Sequence, residues 1–142
     1  MEEKLKELIS NYQVSHSLPR QFYTSETLYK MDIEHYWNHS WIWVGHVNQI
    51  PKTGDFFLFD YGYESVIVAR DKNKDVNALL NVCRHRGSRV CLEKSGNTRV
   101  FACPYHAWTY ELDGNLRAAR EMGDSFDKAE HSLKKVNLRI FH

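Results

Sequence analysis

The pattern of apolar and polar positions changes character part-way along the chain. Leu5, Leu8, Ile9 and Tyr12 fall on one helical face among Lys and Glu, which predicts a short amphipathic helix. Ser15 to Arg20 interrupts it, with Pro19 as the breaker. A second helical pattern starts at Thr24 or Ser25, either of which can cap, and carries Leu28, Met31, Tyr36 and Trp37 toward a core. From Trp41 onward the signals become β. Trp41 to Val44 reads as a strand, and Pro51 to Asp55 as a turn leading into Phe56 to Phe59. Tyr61-Gly62 and Asp71 to Lys74 then turn the chain into Ser65 to Ala69 and Val76 to Val82. Val100 to Ala102 and Ala107 to Leu112 flank a further hairpin with Asp113-Gly114 at its tip. Residues 118–132 have few apolar anchors and read as a long surface loop or a poorly ordered helix. Val136, Leu138 and Ile140 alternate in a final strand that runs to His142 with no closing turn. The expectation is a helical extension over 1–40 and a mainly β domain over 41–142, an antiparallel sandwich or barrel.

Composition narrows the function. A chain of 142 residues, 42% hydrophobic and 26% charged, has the makeup of an ordinary globular domain. Its longest aliphatic and aromatic run, Phe56 to Phe59, is far below the roughly 18 residues of a membrane helix. The charged N-terminus shows no secretory pattern, so a cytoplasmic location with no membrane partner is expected. A net charge of +1 argues against a generic nucleic-acid binder. That balance is uneven: Arg84, Arg86, Arg89, Lys94 and Arg99 face only Glu93 within residues 83–106, leaving the remainder net acidic. The three cysteines, Cys83, Cys91 and Cys103, cannot all pair within the chain, so metal binding outranks a disulfide framework.

Two segments carry the chemistry. Cys83-Arg84-His85 and Cys103-Pro104-Tyr105-His106 each supply one thiol and one imidazole, with 17 residues between His85 and Cys103. A two-Cys, two-His zinc finger groups its ligands differently, placing both cysteines on one element and both histidines on another. Mixed segments suit a two-iron cluster, with the cysteines on one iron and the histidines on the other. Exchanging two thiolates for neutral imidazoles makes such a cluster less negative and raises its potential. A structural zinc module remains the alternative from a different class.

The stretches Asn81 to Gly87, Cys103 to Tyr110 and Leu112-Asp113-Gly114 resemble the Rieske domain of ring-hydroxylating oxygenase α subunits. The resemblance implies a [2Fe–2S] cluster, with Cys83 and Cys103 on the inner iron and His85 and His106 on the outer one. It gives Gly87 and Pro104 the task of shaping the two cluster loops, about residues 81–112, within an antiparallel Rieske fold with a cluster-binding subdomain. The family usually has glycine where Ala107 stands, so a small adjustment of that turn is expected. Respiratory-type relatives carry disulfide cysteines where this chain has Ser88 and Tyr105, which implies the oxygenase and ferredoxin branch and a low potential, about −150 mV.

The resemblance extends over Ser17 to Thr24 and Trp41 to His46 and is nearest to subunits acting on betaine-like quaternary amines. It implies one-electron transfer to a mononuclear iron held elsewhere by two histidines and a carboxylate, for O2-dependent hydroxylation or demethylation. No second histidine pair in the matching context is found, so this chain, as a truncated form or gene fragment, is expected not to turn over alone. A stand-alone Rieske ferredoxin is the alternative within the same chemistry. A ferredoxin or flavin reductase is the implied donor and a homotrimer the implied assembly of a full-length protein. Arg84, Arg86 and Arg89 are candidates for steering an acidic donor. Trp108 is expected to pack over the cluster, Cys91 to be a small buried hydrophobe, and His35 and His39 to serve packing or the surface rather than a second metal.

Overall fold

The computed structural model describes residues 2–123 and 125–141. It divides into two compact units, Met1–Trp43 and Val44–His142.

The first unit is helical. Helices α1 (Glu2–Ser10), α2 (Gln21–Thr24) and α3 (Glu26–His35) are followed by a 3-10 turn over Trp37–His39. Ser25 caps α3, its hydroxyl accepting from the Leu28 N–H at 3.4 Å, as the sequence pattern predicts. Lys30 and Glu26 pair at 3.0 Å one turn apart. The helix stops at His35, one residue before Tyr36, so the aromatic pair Tyr36 and Trp37 lies beyond it and packs edge to face at 5.1 Å. Residues 41–44 form no strand, contrary to the pattern of Trp41 to Val44. Aromatic and β-branched residues favour strands only where a partner edge is open.

The second unit is built on two antiparallel sheets. Strands β1 (Asp55–Tyr61), β2 (Glu64–Arg70), β3 (Val76–Leu80) and β4 (Ser95–Asn97) form the first, in the order β3-β2-β1-β4. Strands β5 (Phe101–Ala102), β6 (Thr109–Tyr110) and β7 (Leu116–Ala118) form the second, in chain order. The larger sheet ends in β4 on one side and β3 on the other. β4 pairs with Asp55 to Phe57 on one side. On the other, Leu80 donates to the Lys134 carbonyl and Val136 to the Ala78 carbonyl. The expected final strand is thus reduced to a single bridge, Leu79 with Lys135, and His142 lies outside the described residues. Between β7 and that bridge runs the irregular stretch that sparse apolar anchors predict, interrupted by a 3-10 turn at Ala129–His131. None of the helices described is long and apolar enough to cross a membrane.

Strand register decides which side chains make the core. Phe56 faces Ala69, Leu58 faces Ile67, and Ile67 faces Leu79, so one face of the first sheet is continuous across three strands. That face joins Phe101, Tyr110, Leu112 and Leu116 of the second sheet region and Leu133 in one buried cluster. Cys83, Cys91, Cys103 and Trp108 belong to the same cluster. Asp113-Gly114 does form a hairpin tip, with Gly114 at φ 91°, but between β6 and β7; the strands expected to flank it, β5 and β6, pair instead across residues 103–108. A Cβ on Gly114 would lie 2.7 Å from Leu79, so both the turn and the core require glycine.

One buried polar side chain fastens β3 to the returning chain. Asn81 is fully buried; its Oδ1 accepts from the N–H of Val90 at 3.0 Å and of Cys91 at 2.8 Å. Its Nδ2 donates to the Cys91 carbonyl at 2.7 Å and to Ser65 Oγ at 3.2 Å. The chain between these anchors is the loop bearing Cys83 and His85. Asn81→Ala leaves buried backbone groups without partners and is expected to lower stability by about 2–4 kcal/mol, measured as a shift in the denaturant midpoint at unchanged slope.

Candidate metal centre

Two loops of the same construction carry the four candidate ligands. In the first, the Cys83 N–H donates to the Ser88 carbonyl at 2.8 Å and the Gly87 N–H returns to the Cys83 carbonyl at 2.9 Å. In the second, the Cys103 N–H donates to the Trp108 carbonyl at 2.8 Å and the Ala107 N–H returns to the Cys103 carbonyl at 2.9 Å. Each loop therefore closes on its cysteine, and each places its fourth following residue in the left-handed region, Gly87 at φ 72° and Ala107 at φ 56°. The histidine sits between the cysteine and the closing residue, two positions on in one loop and three in the other.

This construction sorts the side chains by chemistry. Cys83 and Cys103 are buried, and their thiols interact with one another. His85 and His106 are half-buried, with ring centroids 4.7 Å apart and planes at 78°. Trp108, 2% exposed, stacks on His85 at 4.8 Å with planes 14° apart. Tyr105 covers one side of His106 at 3.9 Å. The expectation that Trp108 packs over this site thus takes a definite form: it backs one imidazole. The other ring contacts of Trp108 are Phe126 and His131, at 5.4 and 5.9 Å, which tie the irregular segment after β7 to the site.

The electrostatics favour neutral imidazole and a shielded sulfur pair. Burial pushes the His85 pKa below its ordinary value, with His106 and Arg86 adding to the effect and Glu121 opposing it. Burial likewise pushes the Cys103 thiol up, while the backbone N–H groups of Tyr105 and His106 favour its thiolate. A metal that binds such thiols must displace their protons. Tyr110 OH lies 3.3 Å from Cys83 Sγ and accepts from the Arg84 N–H at 3.0 Å. With its lone pair engaged by Arg84, the phenol is oriented to donate to the sulfur, and burial above all raises its own pKa. A donor to sulfur stabilises the more negative state of a thiolate centre.

The residues fit an iron–sulfur cluster. His106 Nδ1 is buried without a hydrogen-bond partner, a lone pair suited to a metal. Among the described residues no three of His, Cys, Asp and Glu gather around one ion-sized point. The donors come instead as a thiol pair and an imidazole pair, which is what two metals bridged by other ligands require. The model of the Rieske [2Fe-2S] domain matches residues 40–136. The chain belongs to the Rieske [2Fe-2S] domain family.

Within that family it matches the N-terminal portion of Rieske oxygenase α subunits. It is 39% identical to the glycine betaine monooxygenase oxygenase subunit of Chromohalobacter salexigens, over 92% of this chain and 29% of that subunit. It is 44% identical to the biphenyl 2,3-dioxygenase α subunit of Rhodococcus jostii, over 70% of this chain and 22% of that subunit. Among solved structures, naphthalene 1,2-dioxygenase from Rhodococcus sp. superposes with a TM-score of 0.82 at 28% identity, over 94% of this chain and 31% of that one. A quaternary ammonium Rieske monooxygenase superposes with a TM-score of 0.79 at 34% identity, over 94% of this chain and 38% of that one. The chain therefore spans less than a third of the length of the two oxygenase subunits compared by sequence. The Rieske domain implies a [2Fe–2S] cluster.

Several other site expectations find a place. Cys83, Cys91 and Cys103 are all free, and Cys91 is a buried thiol in the core with its pKa raised by burial. His35 and His39 are exposed, at the end of α3 and in the 3-10 turn that follows it. Arg84 and Arg86 are exposed, whereas Arg89 is engaged with Asp60 at 3.5 Å. Sequence reasoning gave no role to Asn81 or Tyr110. Each acts on a partner distant in sequence, so only a polar residue inside an apolar stretch could have signalled it.

The paired loops also explain Ala107. Its methyl group occupies the place of the usual glycine at the same left-handed corner as Gly87, so its cost is one of backbone conformation. Ala107→Gly is expected to stabilise the chain by about 0.5–1 kcal/mol, and Gly87→Ala to destabilise it by roughly 1 kcal/mol although no atom lies within 4 Å of the added Cβ. Denaturation of both variants checks the pair; equal midpoints would show that the corner carries no strain.

Proposed function

We propose that Cys83 and Cys103 bind one iron and His85 and His106 the other iron of a Rieske [2Fe–2S] cluster. In this reading the chain is the electron-accepting part of a Rieske non-haem iron oxygenase α subunit, which passes electrons singly to a mononuclear iron for O2-dependent hydroxylation or demethylation. The observation that carries the ligand assignment is the pairing of two buried thiols with two imidazoles, one bearing an orphaned Nδ1, on two identically closed loops. When bound, the cluster supplies reversible one-electron acceptance and donation. Around it, the loop backbones hold the sulfurs in the core and Tyr110 donates to one of them. Trp108 fixes the plane of His85 and excludes water from its inner face.

The match to oxygenase subunits covers 92% of the chain, including residues before the Rieske model begins, which favours the oxygenase reading over a stand-alone ferredoxin. Relatives named for glycine betaine and quaternary ammonium compounds support a quaternary amine as the substrate class of the whole protein. A zinc module would need its donors on one ion, and they are arranged as two pairs.

The imidazole side also offers a docking surface. Arg84 and Arg86 are exposed beside His85 and without ion-pair partners among the described residues. They suit an acidic ferredoxin or flavin reductase as donor, attracted through the local excess of basic residues.

Metal analysis is the primary test. The purified chain is expected to carry two irons and two acid-labile sulfides and to give a rhombic electron paramagnetic resonance signal on reduction, with Cys103→Ser abolishing both. A colourless, zinc-loaded chain would overturn the reading. For the docking surface, Arg86→Glu should slow reduction by an acidic donor about tenfold at low salt and flatten its salt dependence. An unchanged, salt-independent rate removes the steering role.

A further inference from the structure

Among the described residues, four that are not glycine have left-handed backbone: Ser15, Lys74, Ala107 and Glu121. Lys74 belongs to the turn between β2 and β3, where its N–H donates to the Asp71 carbonyl. Ala107 closes the second cysteine loop. Glu121, at φ 63°, lines the same depression as Ala107, an opening of about 530 Å3 at the imidazole edge of the site. His85, Arg86, His106 and Arg120 line it too. Glycine would serve a left-handed turn position at lower cost, by about 1 kcal/mol, so a strained glutamate invites a functional reading of its side chain.

The charges around this depression are unequal. Arg86 and Arg120 contribute two guanidinium groups, and Glu121 is the only carboxylate among the lining residues. Reduction adds one negative charge to the centre. Guanidinium groups nearby favour that change and a carboxylate opposes it. The His85 ring lines the same depression, between these opposed charges.

We propose that Glu121 is a positioning residue of the redox centre. Its carboxylate, held at the imidazole edge by a strained backbone, counters Arg86 and Arg120 and keeps the reduction potential down, acting through His85 without ligating iron. This inference rests on the ligand assignment proposed above. Because Glu121 is exposed, solvent and salt attenuate its field, and the effect is modest.

The test measures the midpoint potential of the iron-loaded chain by spectroelectrochemistry at low and high salt. Glu121→Gln removes the charge and keeps the backbone strain; Glu121→Gly removes both. Each is expected to shift the one-electron equilibrium about threefold toward the reduced form, roughly 28 mV at 59 mV per tenfold, with the shift shrinking at high salt. Only Glu121→Gly should also raise the melting temperature, and Arg120→Gln should move the potential the opposite way. Midpoints of both Glu121 variants that coincide with that of the unaltered chain at low salt, with an intact reduced spectrum, overturn the inference alone. Failure of the unaltered chain to assemble iron and sulfide overturns the ligand assignment, and this inference with it.

Discussion

A reciprocal pair of backbone hydrogen bonds closes each cysteine loop, and the rest of the site depends on that closure. The cysteine N–H reaches forward five residues and its carbonyl accepts from the residue four ahead, which must enter the left-handed region. Each thiol points into the core, while the intervening histidine is left toward the outside. With the loop built twice, two thiols meet on the inner side and two imidazoles on the outer side. No side-chain bond has to impose the separation of the two kinds of donor.

The surrounding protein acts differently on those two sides. The inner side lies in the apolar cluster that also contains Phe101, Trp108 and Tyr110, with one phenol aimed at Cys83. The outer side is half-exposed, backed by Trp108 and rimmed by Arg86, Arg120 and Glu121. Burial favours the neutral form of His85 on that side, the form in which an imidazole offers a lone pair. Hydrogen bonding to sulfur on one side and surface charge on the other are separate levers on the same centre. Asn81 supports both by fixing the base of the first loop to β2 and to the strand return at Cys91.

Much of this was legible in the sequence because it is local. The Cys and His spacing, the capping Ser25, the Asp113-Gly114 turn and the strands at 55–61, 64–70 and 76–80 all depend on near neighbours. The misreadings involve partners far along the chain. Trp41 to Val44 has strand composition, but composition makes a strand only where another strand supplies its hydrogen bonds, and no strand pairs with these residues. β4, Ser95–Asn97, is made of residues with weak strand preference and exists because β1 offers it hydrogen bonds. The final strand shrinks to one bridge because the alternating pattern of Val136 to Ile140 meets only the end of β3.

The sequence by itself determined the candidate donors, the family and the mainly β architecture, because residue identity, spacing and hydrophobic alternation are written in consecutive residues. Only the tertiary structure decided that the two loops share one closure, that Ala107 bears the strain usually given to glycine, and that Tyr110, Asn81 and Glu121 converge on the site from separate elements. Hydrogen bonds and fields act through space over a few ångströms, and the chain brings those residues within that range only once the sheets have paired.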